Sequence, residues 1–126
     1  MMKLNQKEFD RAVRRAYNRI PEEIRERMEN VVLTVRKRPD PEMLAEMGYP
    51  PDEPLLGLYE GAALAEHSFF APPPLHPDTI FIFQEPLEEM CKNLSELEWE
   101  IEITVVHEVA HFLGISEERL DELGYG

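Results

Sequence analysis

The residues of this 126-residue chain that are best suited to chemistry are His107, Glu108 and His111, in the stretch HEVAH. On a helix, residues four positions apart lie one turn apart on the same face, so both imidazoles can reach one ion. The intervening glutamate can reach a water molecule on that ion. Zinc lowers the pKa of such a water to about 7, and a nearby carboxylate can take its proton as the water attacks a carbonyl. The pattern predicts that His107 and His111 bind Zn²⁺ and that Glu108 is a general base.

A third metal ligand is expected, because a catalytic zinc usually has three protein ligands and one open position. Gly114 allows a sharp turn that would bring the following segment back towards the histidines. We predict Glu117, six residues after the second histidine, as this ligand. Glu118 and Asp121 remain open as alternatives. Ser116 can cap the next short helix, in which case the two glutamates would only stabilise its first turn.

Other residues with reactive side chains are weaker candidates. His67 and His76 lie in a proline-rich segment, and we interpret them as surface histidines. Cys91 is the only cysteine and is interpreted as a small buried apolar residue. Tyr59 and Tyr125 each have a hydroxyl that could stabilise an oxyanion, but nothing in the sequence selects either one.

Composition and charge exclude several classes of protein. The net charge of −13 opposes binding to nucleic acid, which is itself a polyanion. No apolar run is close to the roughly 20 residues that span a bilayer, so no membrane contact is expected. The first residues, MMKLNQKEFDRAVRR, are polar and unlike a signal peptide. Together with the single cysteine, these features predict a cytoplasmic protein.

The charge is unevenly distributed along the chain. Residues 1–38 contain eleven Lys and Arg residues against six acidic residues, whereas residues 39–126 contain two against twenty. We interpret the acidic part as solvated surface to which the basic part packs or pairs. A negative field that attracts cations, including a metal, is the alternative.

Apolar periodicity and turn residues predict the elements that position these side chains. An amphipathic helix is expected over residues 6–19, opened by a capping box of Asn5 and Glu8, with four arginines on its solvated face. Strands are predicted at 31–37, 55–61 and 79–84, and shorter helices at 21–29, 41–48 and 87–92. Residues 62–78 are predicted to form a loop.

The longest predicted helix carries the two histidines. A capping box of Ser95 and Glu98 is expected to open it, and Gly114 to end it. Its predicted buried face consists of Ile101, Val105, Val106, Val109, Phe112 and Leu113. The histidines fall on the neighbouring arc, so the helix would bury one side and present both imidazoles on another. Trp99 and the FIF run are assigned to the core.

Four blocks of the chain resemble those of the minimal zincins, a family of small bacterial zincin-like metallopeptidases. The blocks are FDRAV…IPEEIRERMENVVLTV, LLGLYEG, TIFIFQEPLE, and HEVAHFLGIS with ERLDELG. HExxH alone is shared with many zincins, whereas the ordered set is specific. Members of this family usually have an aspartate at the position of Glu117, which is also where metzincins place their third histidine. A glutamate there is one methylene longer.

The resemblance implies an α+β fold in which a mixed sheet packs against an N-terminal helix and the HExxH helix. Residues 1–126 would form one zincin-like domain, a zinc peptidase with His107 and His111 as ligands and Glu108 as base. Substrates would be small or unfolded peptides, paired by β-augmentation with an edge of the sheet, for which we predict the TIFIF strand. A non-catalytic zinc-binding module that acts through a protein partner is the alternative.

Overall fold

The structure, a computed structural model, describes residues 2–61 and 77–126. Its elements in chain order are α1 (Gln6–Arg19), α2 (Glu22–Arg25) followed by a 3-10 turn (Glu26–Met28), β1 (Val31–Arg36), α3 (Pro41–Glu46), β2 (Gly57–Glu60), β3 (Asp78–Phe83), α4 (Gln84–Met90), α5 (Leu94–Leu113) and α6 (Glu117–Leu123). Within these described ranges, no helix has the length and apolar character required to cross a membrane.

The three strands form a mixed sheet in the order β1-β3-β2. β1 runs parallel to β3, and β2 runs antiparallel to it. The TIFIF segment is therefore the central strand, with a partner on each side. The prediction that it offers a free edge to a peptide is wrong, since the outer strands of the described sheet are β1 and β2.

α5 forms the centre of the molecule, in contact with α1 on one side and with β2 and β3 on another. Six apolar side chains of α5 are buried in the core: Leu97, Ile101, Val105, Val106, Val109 and Ala110. This arrangement confirms the predicted α+β fold with a mixed sheet packed against the HExxH helix, while the N-terminal helix packs against the HExxH helix. Two core assignments on α5 are wrong, since Trp99 is 46% exposed and Phe112 is 42% exposed.

The start of α5 differs from the predicted capping box. Asn93 is the N-cap, and its side-chain oxygen accepts a hydrogen bond of 2.8 Å from the main-chain N–H of Glu96. Ser95 lies within the helix, and Glu98 is buried and does not cap it. The box predicted at Asn5 and Glu8 does open α1, with both reciprocal hydrogen bonds present.

Two arginines of α1 pair with buried carboxylates of α5. Glu98 accepts from Arg15 at 2.7 Å and from Arg19 at 2.8 Å, and Glu102 accepts from Arg19 at 3.3 Å. Both arginines are exposed, as predicted, and their guanidinium groups also neutralise acidic groups of the neighbouring helix. Pairing is required here, because a buried carboxylate without a partner would be strongly destabilising. The general interpretation that the basic segment pairs with the acidic one holds for these residues.

Gly57 lets β2 approach α5 closely. A Cβ atom at this position would lie 2.6 Å from Cγ2 of Thr104 and 3.1 Å from the carbonyl oxygen of Phe81. Neither atom belongs to the flexible end of a long side chain, so a larger residue would separate the strand from the helix. The glycine therefore sets the distance between β2 and the helix that carries the histidines.

We expect Gly57→Ala to reduce the free energy of unfolding by about 1–3 kcal/mol, because the added methyl overpacks this contact. Thr104→Ser removes Cγ2 and should restore part of the loss in the double variant. Urea denaturation of the wild type, both single variants and the double variant measures this coupling. Strictly additive effects would contradict a steric contact between the two positions.

Cys91 is buried at the end of α4, as predicted. Burial, aided by the negative charges of Glu100 and Glu96, raises the pKa of its thiol to about 11. At pH 8 the folded protein should therefore keep this thiol protonated and unreactive towards a disulfide reagent. Reaction should begin as the pH approaches 11 or when urea unfolds the chain. Rapid modification of the folded protein at pH 8 would contradict this placement.

Candidate metal centre

A cleft of about 640 Å³ lies between the end of α5, the start of α6 and the segment that follows α6. His107, Glu108, His111 and Glu117 all line it. The structure thus brings the two predicted ligands, the predicted base and the predicted third ligand around one space. Neither alternative for the third ligand, Glu118 or Asp121, lines this cleft.

The turn between α5 and α6 places Glu117 at the cleft. Gly114 has φ 78° and ψ 35°, the left-handed conformation that favours glycine, and it ends α5 as predicted. The guanidinium of Arg27 donates to the carbonyl of Leu113 at 2.9 Å, which satisfies the exposed end of the helix. Ser116 caps α6 by accepting from the N–H of Arg119 at 3.1 Å. Glu117 is then the first residue of α6 and is exposed.

The carboxylate of Glu108 is held by the main chain of β2. Its Oε1 accepts a hydrogen bond of 2.8 Å from the N–H of Tyr59. Burial raises the pKa of this carboxyl, and the Tyr59 N–H and the charges of His111 and His107 oppose that rise. A carboxylate with a raised pKa accepts a proton more readily than an exposed glutamate does, which suits a general base.

The two imidazoles have different environments. His107 is exposed, and its Nε2 lies 3.0 Å from the carbonyl oxygen of Tyr125. His111 is also exposed, and its ring makes an edge contact with Phe112 at 5.5 Å between centroids. The ring of Phe112 in turn stacks on Tyr59 at 4.5 Å. His107 therefore contacts the segment after α6, whereas His111 contacts Phe112, which in turn stacks on β2.

Both tyrosine hydroxyls considered for oxyanion stabilisation have carboxylate partners. The hydroxyl of Tyr59 donates to Asp78, and that of Tyr125 donates to Glu102 at 2.6 Å. Burial, with these hydrogen bonds, raises the pKa of each phenol. The contacts that Tyr59 and Tyr125 make with the cleft are instead made by their main-chain groups. His67 and His76 lie outside the described residues.

Imidazole nitrogen and carboxylate oxygen are ligand types that suit zinc. Around one cleft, His107 and His111 supply two imidazoles and Glu117 supplies one carboxylate. Their present arrangement is not a closed ligand set. Over residues 2–61 and 77–126, no group of three or more His, Cys, Asp or Glu side chains is placed to hold an ion. The hydrogen bond between His107 and the Tyr125 carbonyl is one contact that would have to change.

Sequence reasoning missed the two main-chain contacts of this cleft, the Tyr59 N–H and the Tyr125 carbonyl. Main-chain groups have no residue-type signature, so their positions follow only from the fold. Gly57 was an indirect indication for the first contact, because a glycine within a strand often marks a close approach of two backbones.

In a comparison with protein families, the family model described as zincin-like metallopeptidase matches residues 28–126. The chain belongs to the zincin-like metallopeptidase family. This finding confirms the family resemblance noted in the sequence, and the matched segment includes the sheet and the whole histidine helix. In this zincin-like chain, α1 precedes the matched segment. Among curated proteins, no sequence gives a significant match.

Glu117 and Glu118 provide a matched test of the third ligand. If Glu117 binds the metal, Glu117→Ala should lower zinc affinity far more than Glu118→Ala, which removes the same charge from the same helical turn. An effect through the helix dipole alone is worth only about 0.3–1 kcal/mol and would be similar at both positions. Competition with a chromogenic chelator measures both affinities. Equal, small effects would reject Glu117 as a ligand.

Proposed function

We propose that this protein is a zinc-dependent peptidase in which Glu108 is the general base. His107, His111 and Glu117 would hold the zinc. The observation that supports this proposal best is the common cleft: two imidazoles and a carboxylate surround the space beside a second carboxylate fixed by the main chain. Membership of the zincin-like metallopeptidase family supports the same class of reaction.

The fixed orientation of Glu108 suits its proposed role. The Tyr59 N–H holds Oε1, so Oε2 is the oxygen left to take a proton from the attacking water. A carboxylate fixed in this position can take that proton from the water and then deliver it to the leaving amine. A bound zinc would supply Lewis acidity, which makes water more nucleophilic and polarises the scissile carbonyl.

The outer edge of β2 is the best place for a peptide substrate. Leu58 and Tyr59 lie opposite Phe81 and Ile80 in the antiparallel register, and the N–H of Tyr59 points to Glu108 instead of to β3. The main-chain groups on that side of β2 therefore lie next to the proposed base. An extended peptide that pairs with this edge would bring its own carbonyl groups to the cleft.

The substrate class that we propose is a short or unfolded peptide. The cleft is bounded by α5, α6 and the segment after α6, and its two histidines are exposed. A site of this kind is accessible to an extended chain, whereas a folded protein would have to unfold locally to present a bond to it. The protein's charge of −13 further favours peptides that are not strongly acidic.

The central test compares the wild type with Glu108→Gln in metal content and in cleavage of unfolded casein. Gln keeps the size of the side chain and an oxygen that can accept from the Tyr59 N–H, but it cannot take a proton. We expect the variant to retain one zinc per chain and its fold, and to lose hydrolysis by at least about 100-fold.

His107→Ala/His111→Ala is the matched control for metal binding and should lose both zinc and hydrolysis. Zinc content near one per chain in that double variant would place the metal elsewhere. If the wild type binds zinc but cleaves no peptide, the non-catalytic zinc-binding module becomes the better description. Loss of zinc in Glu108→Gln would give Glu108 a structural role.

A further inference from the structure

The segment after α6 turns back onto α5. Gly124 has φ 93°, and its N–H donates to the carbonyl of Asp121 at 3.1 Å. The N–H of Tyr125 donates to the carbonyl of Leu120 at 2.8 Å. These bonds close the end of α6 and direct Tyr125 into the interior, where its side chain is buried.

Tyr125 is held at both ends of its side chain. Its ring stacks on Trp99 with 5.9 Å between centroids, and its hydroxyl donates to Glu102 at 2.6 Å. Glu102 is itself buried and paired with Arg19 of α1. The position of the Tyr125 main chain is therefore determined by contacts with α5 and, through Glu102, with α1.

The Tyr125 carbonyl determines where the proton of His107 resides. The carbonyl oxygen lies 3.0 Å from Nε2 of His107. Because a carbonyl can only accept a hydrogen bond, Nε2 must carry the proton in this arrangement. A protonated ring nitrogen has no lone pair for a metal, so this contact and metal binding through Nε2 exclude each other. Nε2 is also the ring nitrogen farther from the main chain of its own helix.

We propose that the Tyr125 contact with His107 controls metal access to the cleft. In the metal-free protein the contact retains the proton on Nε2, and a divalent cation binds only after the Tyr125 carbonyl moves away and the proton shifts to Nδ1. This inference rests on the zinc site proposed above. The apparent association constant for zinc is then the intrinsic constant multiplied by the fraction of molecules in which His107 has no contact with the Tyr125 carbonyl.

Weakening the Tyr125 contact should therefore increase zinc affinity. Tyr125→Phe removes the hydroxyl that bonds to Glu102 but keeps the ring and the carbonyl. We expect about a ten-fold increase in affinity for Zn²⁺, because a hydrogen bond to a charged group no longer favours the closed arrangement. Tyr125→Ala also removes the ring contact with Trp99 and should increase the affinity further. Chelator competition measures both, and circular dichroism verifies that the helices remain.

Glu98→Gln is the matched control. Glu98 lies one turn before Glu102 on the same helix and shares Arg19 with it, but Tyr125 bonds to Glu102. Gln keeps an oxygen that can accept from Arg15, and the pair of Arg19 with Glu102 still orients α5. The variant should therefore leave zinc affinity within about two-fold of the wild type. An increase equal to that of Tyr125→Phe would indicate general loosening of the fold and would overturn the proposal.

Nitrogen NMR of the histidine rings gives a second test that needs no variant and no metal. Metal-free wild type should show His107 with its proton on Nε2, and saturating zinc should move it to Nδ1. A proton on Nδ1 in the metal-free protein would overturn the proposal, as would unchanged or weaker zinc binding in both Tyr125 variants. These readouts do not involve hydrolysis, so the Tyr125 proposal and the peptidase proposal can fail separately.

Discussion

The rotation of α5 about its own axis depends on two buried carboxylates. Glu98 and Glu102 are each 6% exposed, and their charges are tolerable only because Arg15 and Arg19 of α1 meet them. His107 lies nine residues after Glu98. Nine residues are roughly two and a half turns of helix, so His107 lies on the side of α5 opposite to Glu98. The same spacing separates Glu102 from His111. Fixing the carboxylates against α1 therefore directs both imidazoles away from α1 and towards the cleft.

A second set of contacts relates α5 to the sheet. Thr104, Glu108 and Phe112 follow one another at four-residue intervals, so they form one stripe along the helix. Thr104 packs closely against Gly57. Glu108 accepts a hydrogen bond from the Tyr59 N–H, and Phe112 stacks on the Tyr59 ring. The stripe places the proposed base opposite the main chain of the strand that would bind a peptide. Rotation of α5 by one residue would break all three contacts.

The arrangement divides the structural roles between two parts of the chain. The family match begins at residue 28, so the sheet, the histidine helix and α6 lie within it. The arginines that hold the histidine helix come from α1, which precedes residue 28. The elements that could perform chemistry are thus positioned in part by a helix outside the matched segment.

The sequence was informative where one residue type meets one physical requirement. HExxH, Gly114 and the apolar periodicity of α5 predicted the long helix and its end, and the matched blocks predicted the family. Errors arose where several solutions satisfy the same pattern. Ser95 and Asn93 can both cap a helix. In the structure Asn93 is the cap, and α5 begins at Leu94, two residues before the start that a Ser95 cap would give. An apolar strand such as TIFIF fits a central position or a half-buried edge, and only the pairing of strands distinguishes them.

Long-range contacts explain the remaining differences. Phe112 follows the apolar period of α5, yet it is exposed and stacks on Tyr59 of β2. Arg15 and Arg19 lie on the exposed face that the pattern predicts, but their pairing with buried acids of a neighbouring helix does not follow from that pattern. Neither the Tyr59 N–H beside Glu108 nor the Tyr125 carbonyl beside His107 can be inferred from residue type.

The stacking of Trp99 on Tyr125 has an optical consequence. Trp99 is the only tryptophan of the chain, and it is half exposed to solvent while its ring contacts the residue that bonds to His107. The intensity and wavelength of indole emission depend on solvent access and on neighbouring groups. The protein thus contains an intrinsic fluorophore whose emission reports on the segment after α6, without a label and without changing any residue of the cleft.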